Sequence, residues 1–157
     1  MDLLAEYREA RWHETVARLR RLLTLRALAV TGMTQSEIAR AVGVTQPAVS
    51  QQLRAAGGLG DVHPEVLLEA ASPVLKSIAA DRGYARLAVF GSVARREARP
   101  DSDIDLIVEA PTGTSSFEFL RFKGLIEQVL GREVDLVEYG GLTPGLDDDI
   151  QRDAALL

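Results

Sequence analysis

Five residues of the chain have the types and spacing to do chemistry together: Gly91, Ser92, Asp103, Asp105 and Asp135. Asp103 and Asp105 flank Ile104 at the head of an almost continuously apolar run, Ile104–Val108. Such a run fits a central strand covered on both faces. Side chains two apart on a strand share a face, roughly 6.6 Å apart along it, so both carboxylates point one way while Ile104 and Leu106 turn to the core. Carboxylates so placed repel, and ionise together only against a cation. Oxygen donors without cysteine or a local histidine select a hard cation such as Mg²⁺. Asp135, between Val134 and Leu136, repeats the pattern on a second strand and can supply a third carboxylate. Three carboxylates can hold two ions about 3.5–4 Å apart, the arrangement that stabilises the attacking and leaving oxygens of a phosphoryl-type displacement. Gly91-Ser92 ends one apolar run and opens a helix-like stretch. Glycine permits close backbone approach, N–H groups at a helix start suit an anion such as a triphosphate, and Ser92 adds a hydroxyl. Arg95 or Arg96 would neutralise phosphate charge, or would be solvated.

The elements that must position these residues lie in the back half. Pro64 starts a helix that Pro73 is expected to divide into 64–71 and 73–82, closed by Gly83. Arg86–Phe90 reads as a strand, Val93–Ala98 as a short helix, Phe117–Leu130 as an amphipathic helix ending at Gly131, and Glu133–Glu138 as another strand. Pro144–Leu157 reads as a final helix. Asp147-Asp148-Asp149 then form its solvated first turn, favoured by the helix dipole, rather than a metal patch. Phe117, Phe119 and Phe122 read as core or as a partner-facing patch, and His13 and His63 as surface residues.

The front half has a different pattern. Apolar residues recur at helical spacing from Leu3 to Val30 with no Gly or Pro between them. Thr34-Gln-Ser-Glu37 is a capping box that opens a short helix, Ser36–Val42, burying Ile38, Ala39 and Val42. Gly43 ends it, and Thr45 caps a second short helix to about Ala55 with Pro47 in its first turn. Val49 and Leu53 face inward, leaving Gln46, Ser50, Gln51 and Arg54 outward. Glutamine can pair bidentately with adenine, while serine and threonine suit bases or phosphates. Gly57–Gly60 reads as a short linker between a domain at 1–60 and a domain at 61–157. The long first helix is apolar on more faces than a three-helix unit needs, which a homodimer contact or packing on the second domain would explain.

Composition bounds the rest. The chain has 157 residues, 46% hydrophobic and 26% charged, which is globular rather than disordered. The absence of cysteine removes disulfides, thiolate metal sites and cysteine nucleophiles. No apolar run approaches a membrane span, and acidic residues stand where a signal peptide would be basic, so a cytoplasmic protein with no membrane partner is expected. The net charge of -5 conceals an asymmetry: residues 1–60 carry eight arginines against five acids, and residues 61–157 ten basic residues against eighteen acids. A basic front suits a polyanion and an acidic back suits cations.

Two resemblances add to this reading. The stretch TQSEIARAVGVTQPAVSQQL, within about residues 20–56, resembles the DNA-binding helix-turn-helix of bacterial repressors, including the Ala39 and Gly43 spacing and the apolar Val49 and Leu53. That resemblance implies operator DNA as a partner, met by Thr45, Gln46, Ser50, Gln51 and Arg54. FGSVARREARPDSDIDLIVE resembles the nucleotidyltransferase motif of the polymerase-beta superfamily, and most of all its minimal nucleotidyltransferases, over about residues 72–157. Arg96 departs from the glycine common at that position.

The second resemblance implies an α+β chain: an all-α helix-turn-helix followed by a small α/β nucleotidyltransferase domain with a mixed sheet. It implies that Gly91 and Ser92 bind the nucleotide triphosphate, beside which Arg95 is expected for its charge. It also implies that Asp103 and Asp105 ligate two Mg²⁺ ions, and that Asp135 ligates the catalytic one and helps deprotonate an acceptor hydroxyl. Members of this kind commonly act as antitoxins, transferring AMP from ATP to a hydroxyl of a paired toxin such as a HEPN-domain ribonuclease. The helix-turn-helix would then repress the protein's own operon. The competing expectation is a non-enzymatic DNA-binding regulator, or an antitoxin that acts by occlusion alone. A homodimer or a hetero-complex is expected on either reading.

Overall fold

The computed structural model describes residues 1–157. Helix α1 (Leu3–Val30) is unbroken, started by Asp2, whose carboxylate accepts from the Ala5 N–H. Its first twelve residues are exposed, and from Val16 onward its inner stripe is buried. Helices α2 (Gln35–Val42) and α3 (Gln46–Ala55) follow, with both bonds of the Thr34/Glu37 capping box formed and Gly43 left-handed at φ +77°. Ile38, Ala39 and Val49 close a small core against Leu25 of α1. Val42, expected inside, is 48% exposed, because the stripe that meets α1 and α3 is already filled by Ile38 and Ala39.

Gly57–Gly60, expected as a flexible linker, lies in a 3₁₀ turn (Ala56–Asp61) whose Ala56 and Leu59 are buried. The turn is held from both sides. Arg26 of α1 donates to Ala56 O and Gln128 O, and a side chain at Gly60 would strike the carbonyl of Gly131.

Helix α4 (Pro64–Asp81) then runs straight through Pro73, against the expected division. Proline at 73 cannot donate to the carbonyl of Glu69, four residues back. The orphaned carbonyl is met from elsewhere: Arg20 of α1 donates Nη2 to Glu69 O (3.1 Å) and Nε to Ala70 O (3.0 Å). A tertiary contact thus fills the gap that local chemistry opens.

The sheet is four-stranded and mixed, in the order β3-β2-β1-β4. β1 (Ala85–Phe90) pairs antiparallel with β2 (Ile104–Glu109), and β2 pairs parallel with β3 (Val134–Glu138). The four-residue helix α5 (Gly91–Ala94) connects β1 to the loop before β2, and α6 (Ser116–Leu130) connects β2 to β3. The expected final helix is mostly absent. Only α7 (Asp148–Asp153) is helical, and Ala155–Leu156 forms β4, an edge strand antiparallel to β1. Pro144-Gly145 delays the helix, Asp147 and Asp148 accept from the Thr143 and Gly145 N–H groups, and the free edge of β1 captures the chain beyond Ala154. Those two aspartates are turn caps.

One face of the sheet (Leu87, Val89, Ile104, Leu106, Val108, Val134, Leu136) packs on α4, α6 and the second half of α1 in a single 28-residue core. Phe122 joins this core, stacked on Tyr84 at 3.8 Å, Phe119 lies partly buried beside it, and Phe117 is exposed. The opposite face carries Ala88, Phe90 and Ile107 beneath a partial cover from Tyr139, Leu142 and Ile150. No helix is long and apolar enough to cross a membrane.

Candidate active site

The partly covered face of the sheet carries the acidic residues. Strand register sets Asp105 opposite Asp135 across the parallel β2–β3 pair, and opposite Phe90 across the antiparallel β1–β2 pair. Neighbouring strands lie about 4.8 Å apart, so the two carboxylates sit side by side on one face. Ile104 and Leu106, the alternating partners of Asp105, are fully buried on the other. Gly91 follows Phe90 directly, and so lies against Asp105. Its φ is +71°, and a Cβ built on it would run into the Asp105 carboxylate. Glycine is therefore required here twice, for its backbone angle and for the space. Gly91→Ala should remove at least two orders of magnitude of any transfer activity and lower the Tm. A variant with unchanged turnover would show that this loop takes no part.

Asp105 is half-buried, and its carboxyl is pushed above the usual carboxylate range. Burial is the largest cause, followed by the negative charges of Asp135 and then Asp103; Arg95 works in the opposite direction. A carboxylate whose proton affinity is raised by two acidic neighbours suits a bound cation, and the all-oxygen donor set suits a hard one. The three carboxylates are not drawn into a closed cage: no trio of acidic or histidine side chains is gathered tightly enough to enclose an ion by itself.

Arg95 follows α5 and bonds Asp153 of α7 at 2.7 Å and Glu97 at 3.2 Å. It lies near enough to Asp105 to favour that carboxylate's ionised form. Arg96 has φ +58°, the left-handed conformation that glycine favours, which accounts for the family's glycine at this position. Arg96→Gly should leave the acidic site intact and raise stability by up to about 1 kcal/mol, the left-handed strain less the entropy of the new glycine. Thermal melts of the two proteins check this; a lower Tm for the glycine variant would refute it.

Three positioning residues gave no signal in the sequence. Asp153, beyond the acidic turn caps, holds Arg95. Arg132 donates to Ser102 O at 2.7 Å and to Val62 O at 3.2 Å, tying the loop that carries Asp103 to the start of α4. His63, expected on the surface, is half-buried as the N-cap of α4. Its Nδ1 accepts from the Glu65 N–H, so Nε2 carries the hydrogen and donates to Ala98 O at 3.2 Å.

The basic front half presents a second surface. Thr45, Gln46, Gln51 and Arg54 are exposed on α3, and Ser50 is half-buried. The Thr45 hydroxyl caps the Ala48 N–H, and the Gln46 amide donates to Gln35 at the start of α2.

Residues 73–157 match the family described as "Nucleotidyltransferase domain". The chain belongs to the nucleotidyltransferase domain family. Residues 18–60 match a second family, "Bacterial regulatory protein, arsR family". The nucleotidyltransferase half is similar to the protein adenylyltransferase MntA of Thermococcus cleftensis, 35% identical over 45% of this chain and 72% of the relative. It is also similar to a Methanocaldococcus jannaschii protein named as a candidate protein adenylyltransferase, 43% identical over 46% of this chain and 77% of the relative. A solved structure described as a candidate minimal nucleotidyltransferase superposes with a TM-score of 0.54 at 41% identity, covering 59% of this chain and 95% of its own. The expected fold, a helix-turn-helix followed by a minimal nucleotidyltransferase with a mixed sheet, is the observed one.

Proposed function

We propose that the chain is a nucleotidyltransferase antitoxin, which transfers AMP from ATP to a hydroxyl of a paired toxin and binds its own operator through the helix-turn-helix. The observation that carries this reading is the register that sets Asp105 beside Asp135, with Gly91 closed against Asp105. The protein adenylyltransferase names of the relatives supply the transferred group. In this reading Gly91, Ser92 and Arg95 bind the triphosphate. Asp103, Asp105 and Asp135 hold two Mg²⁺ ions, which when bound neutralise phosphate charge and polarise the reacting oxygens. Asp135 receives the acceptor's proton. The acceptor oxygen bonds to the α-phosphorus, the α–β bridging bond breaks, and pyrophosphate leaves. Thr45, Gln46, Ser50, Gln51 and Arg54 of the domain at 1–60 meet operator DNA, and the domain at 61–157 meets the toxin.

The test is incubation of the purified chain with Mg²⁺, ATP labelled on the α-phosphate, and the protein encoded beside it. Label on a hydroxyl side chain of that partner, released by no treatment that spares phosphodiesters, is the expected result. Neutralisation of the partner without label would replace transfer with occlusion.

A further inference from the structure

Arg95 stands beside the acidic site with two of its side-chain N–H groups already taken. It caps α5, its backbone N–H bonded to Gly91 O. Its Nη1 donates to Asp153 Oδ2 at 2.7 Å and its Nε to Glu97 Oε2 at 3.2 Å. One guanidinium against two carboxylates leaves the group with an excess of negative charge, which repels a phosphate.

The two carboxylates have different surroundings. Asp153 is only 16% exposed. It ends α7, and Ile150 and Ala154 on either side of it pack on Ala88, Phe90 and Ile107. Ala155 then pairs with Val89 of β1, the strand that leads into Gly91. Asp153 therefore sits on a fixed base. Glu97 is 67% exposed and lies in the loop after α5. Burial decides which of the two bonds a phosphate breaks. An exposed ion pair adds little and yields readily. Parting a shielded pair strands a charge without water or partner, which costs far more. A guanidinium has five N–H donors, and Nη2 carries neither of the two in use. Once Glu97 has gone, Arg95 can keep Asp153 and still give phosphate two parallel bonds, from Nε and Nη2.

We infer that Asp153 and Glu97 act on Arg95 in opposite senses: Asp153 is a positioning residue that holds the guanidinium toward the triphosphate, and Glu97 is a built-in competitor that the triphosphate displaces. This rests on the reading in which Arg95 binds the triphosphate, and adds to it what aims that side chain and what guards it. It also makes the segment from α7 to β4 the support of the nucleotide loop. Bulk charge predicts something else. Both residues are acids near an anion site, so removing either charge would tighten nucleotide binding alike.

The full chain is titrated with ATP and Mg²⁺ by calorimetry, without the partner that would accept AMP. Glu97→Gln should bind ATP about 2- to 5-fold more tightly than wild type, the range for an exposed ion pair. Asp153→Ala should bind it about tenfold more weakly, the loss of one charge-assisted bond from a guanidinium no longer aimed. Asp153→Asn keeps an acceptor for Nη1 and should lie between Asp153→Ala and wild type. In an Arg95→Ala background neither Asp153→Ala nor Glu97→Gln should change ATP binding further, because both act through Arg95. Glu97 is exposed, so its variant keeps the fold and tests the inference even where loss of Asp153 loosens α7. ATP binding by Asp153→Ala at or above wild-type strength overturns the inference. So does a gain from Glu97→Gln that survives in the Arg95→Ala background. An Arg95→Ala chain that binds ATP as wild type does removes the reading beneath it instead, so the two failures appear in different variants.

Discussion

Asp103→Asn combined with Asp105→Asn should abolish nucleotidyl transfer and make the metal-free protein more stable. The loss of activity follows from removing two of the site's three carboxylates: Asp105, which lies opposite Asp135 across β2–β3, and Asp103, whose charge acts on Asp105. Charge stabilisation of a phosphoryl-type transition state at such a site amounts to several kcal/mol, which is at least about a thousandfold in rate. The gain in stability follows from the same repulsion. Burial and then the charges of Asp135 and Asp103 raise the Asp105 carboxyl above its ordinary value. A folded-state pKa above the unfolded one means that the folded chain binds the proton more tightly. Stability therefore falls as pH rises through the carboxylate range, and the penalty is fully present at neutral pH. An asparagine escapes it. The double variant should melt a few degrees above wild type at pH 7 without metal, since about 1 kcal/mol shifts the Tm by roughly 2–4 °C in a chain of this size. The difference should shrink as pH falls through the carboxylate range, where the raised Asp105 carboxyl of wild type takes up its proton. Added Mg²⁺ should raise the Tm of wild type and not of the variant. Label transfer, and melts at two pH values with and without Mg²⁺, test all four statements. Transfer at the wild-type rate in the double variant would remove these residues from the active site.

Local patterns and tertiary contacts divide what the sequence makes legible. Alternation in IDLIVE and VDLVE is enough to put Asp105 and Asp135 on one face with Ile104, Leu106, Val134 and Leu136 on the other, because a strand's period is two whatever surrounds it. The capping residues Thr34 and Thr45 mark the starts of α2 and α3 for the same reason: the bond is made within four residues. Pro73 defeats local reading, since the group that satisfies the Glu69 carbonyl is Arg20, 49 residues away in sequence. The C-terminus defeats it similarly. Residues 154–157 have good helix formers, but the open edge of β1 offers backbone partners that a helix end does not. The roles of Arg132 and Asp153 rest on single side-chain bonds across 30 and 58 residues, which no periodicity encodes. Gly60 was legible as glycine but not as a contact; its close approach to the Gly131 carbonyl turns an apparent hinge into a packed joint.

That joint governs the second large effect. A fragment beginning at Asp61 should fail to fold cooperatively, although solved and curated relatives cover little more than the nucleotidyltransferase half. The front half supplies Val16, Leu19, Leu22, Leu23 and Ala27 of α1, with Ala56 and Leu59 of the 3₁₀ turn, to the same core that holds the sheet. The groove between the two long helices is lined by Thr24 and Ala27 of α1 and by Val74 and Ile78 of α4. Cutting the chain at 61 would uncover that side of α4. Each large aliphatic side chain left exposed forfeits roughly 1.5–3 kcal/mol, so three or four of them consume the 5–15 kcal/mol that usually stabilises a domain. The cut also removes Arg20, leaving the Glu69 carbonyl at Pro73 without its partner. Calorimetry of the whole chain should give a single transition whose calorimetric and van't Hoff enthalpies agree. The fragment should show helical far-ultraviolet dichroism without a sharp melt, and no transfer activity. A fragment 61–157 that melts cooperatively and labels the partner at the wild-type rate would show that the shared core is dispensable and the two halves independent. Substituting α4 alone offers an intermediate test. Ile78→Ala in the whole chain should lower stability by about 2–5 kcal/mol, the usual range for a buried aliphatic truncation. If the halves form one cooperative unit, that single change moves the melting of both together, read by dichroism for the helices and by transfer activity for the site.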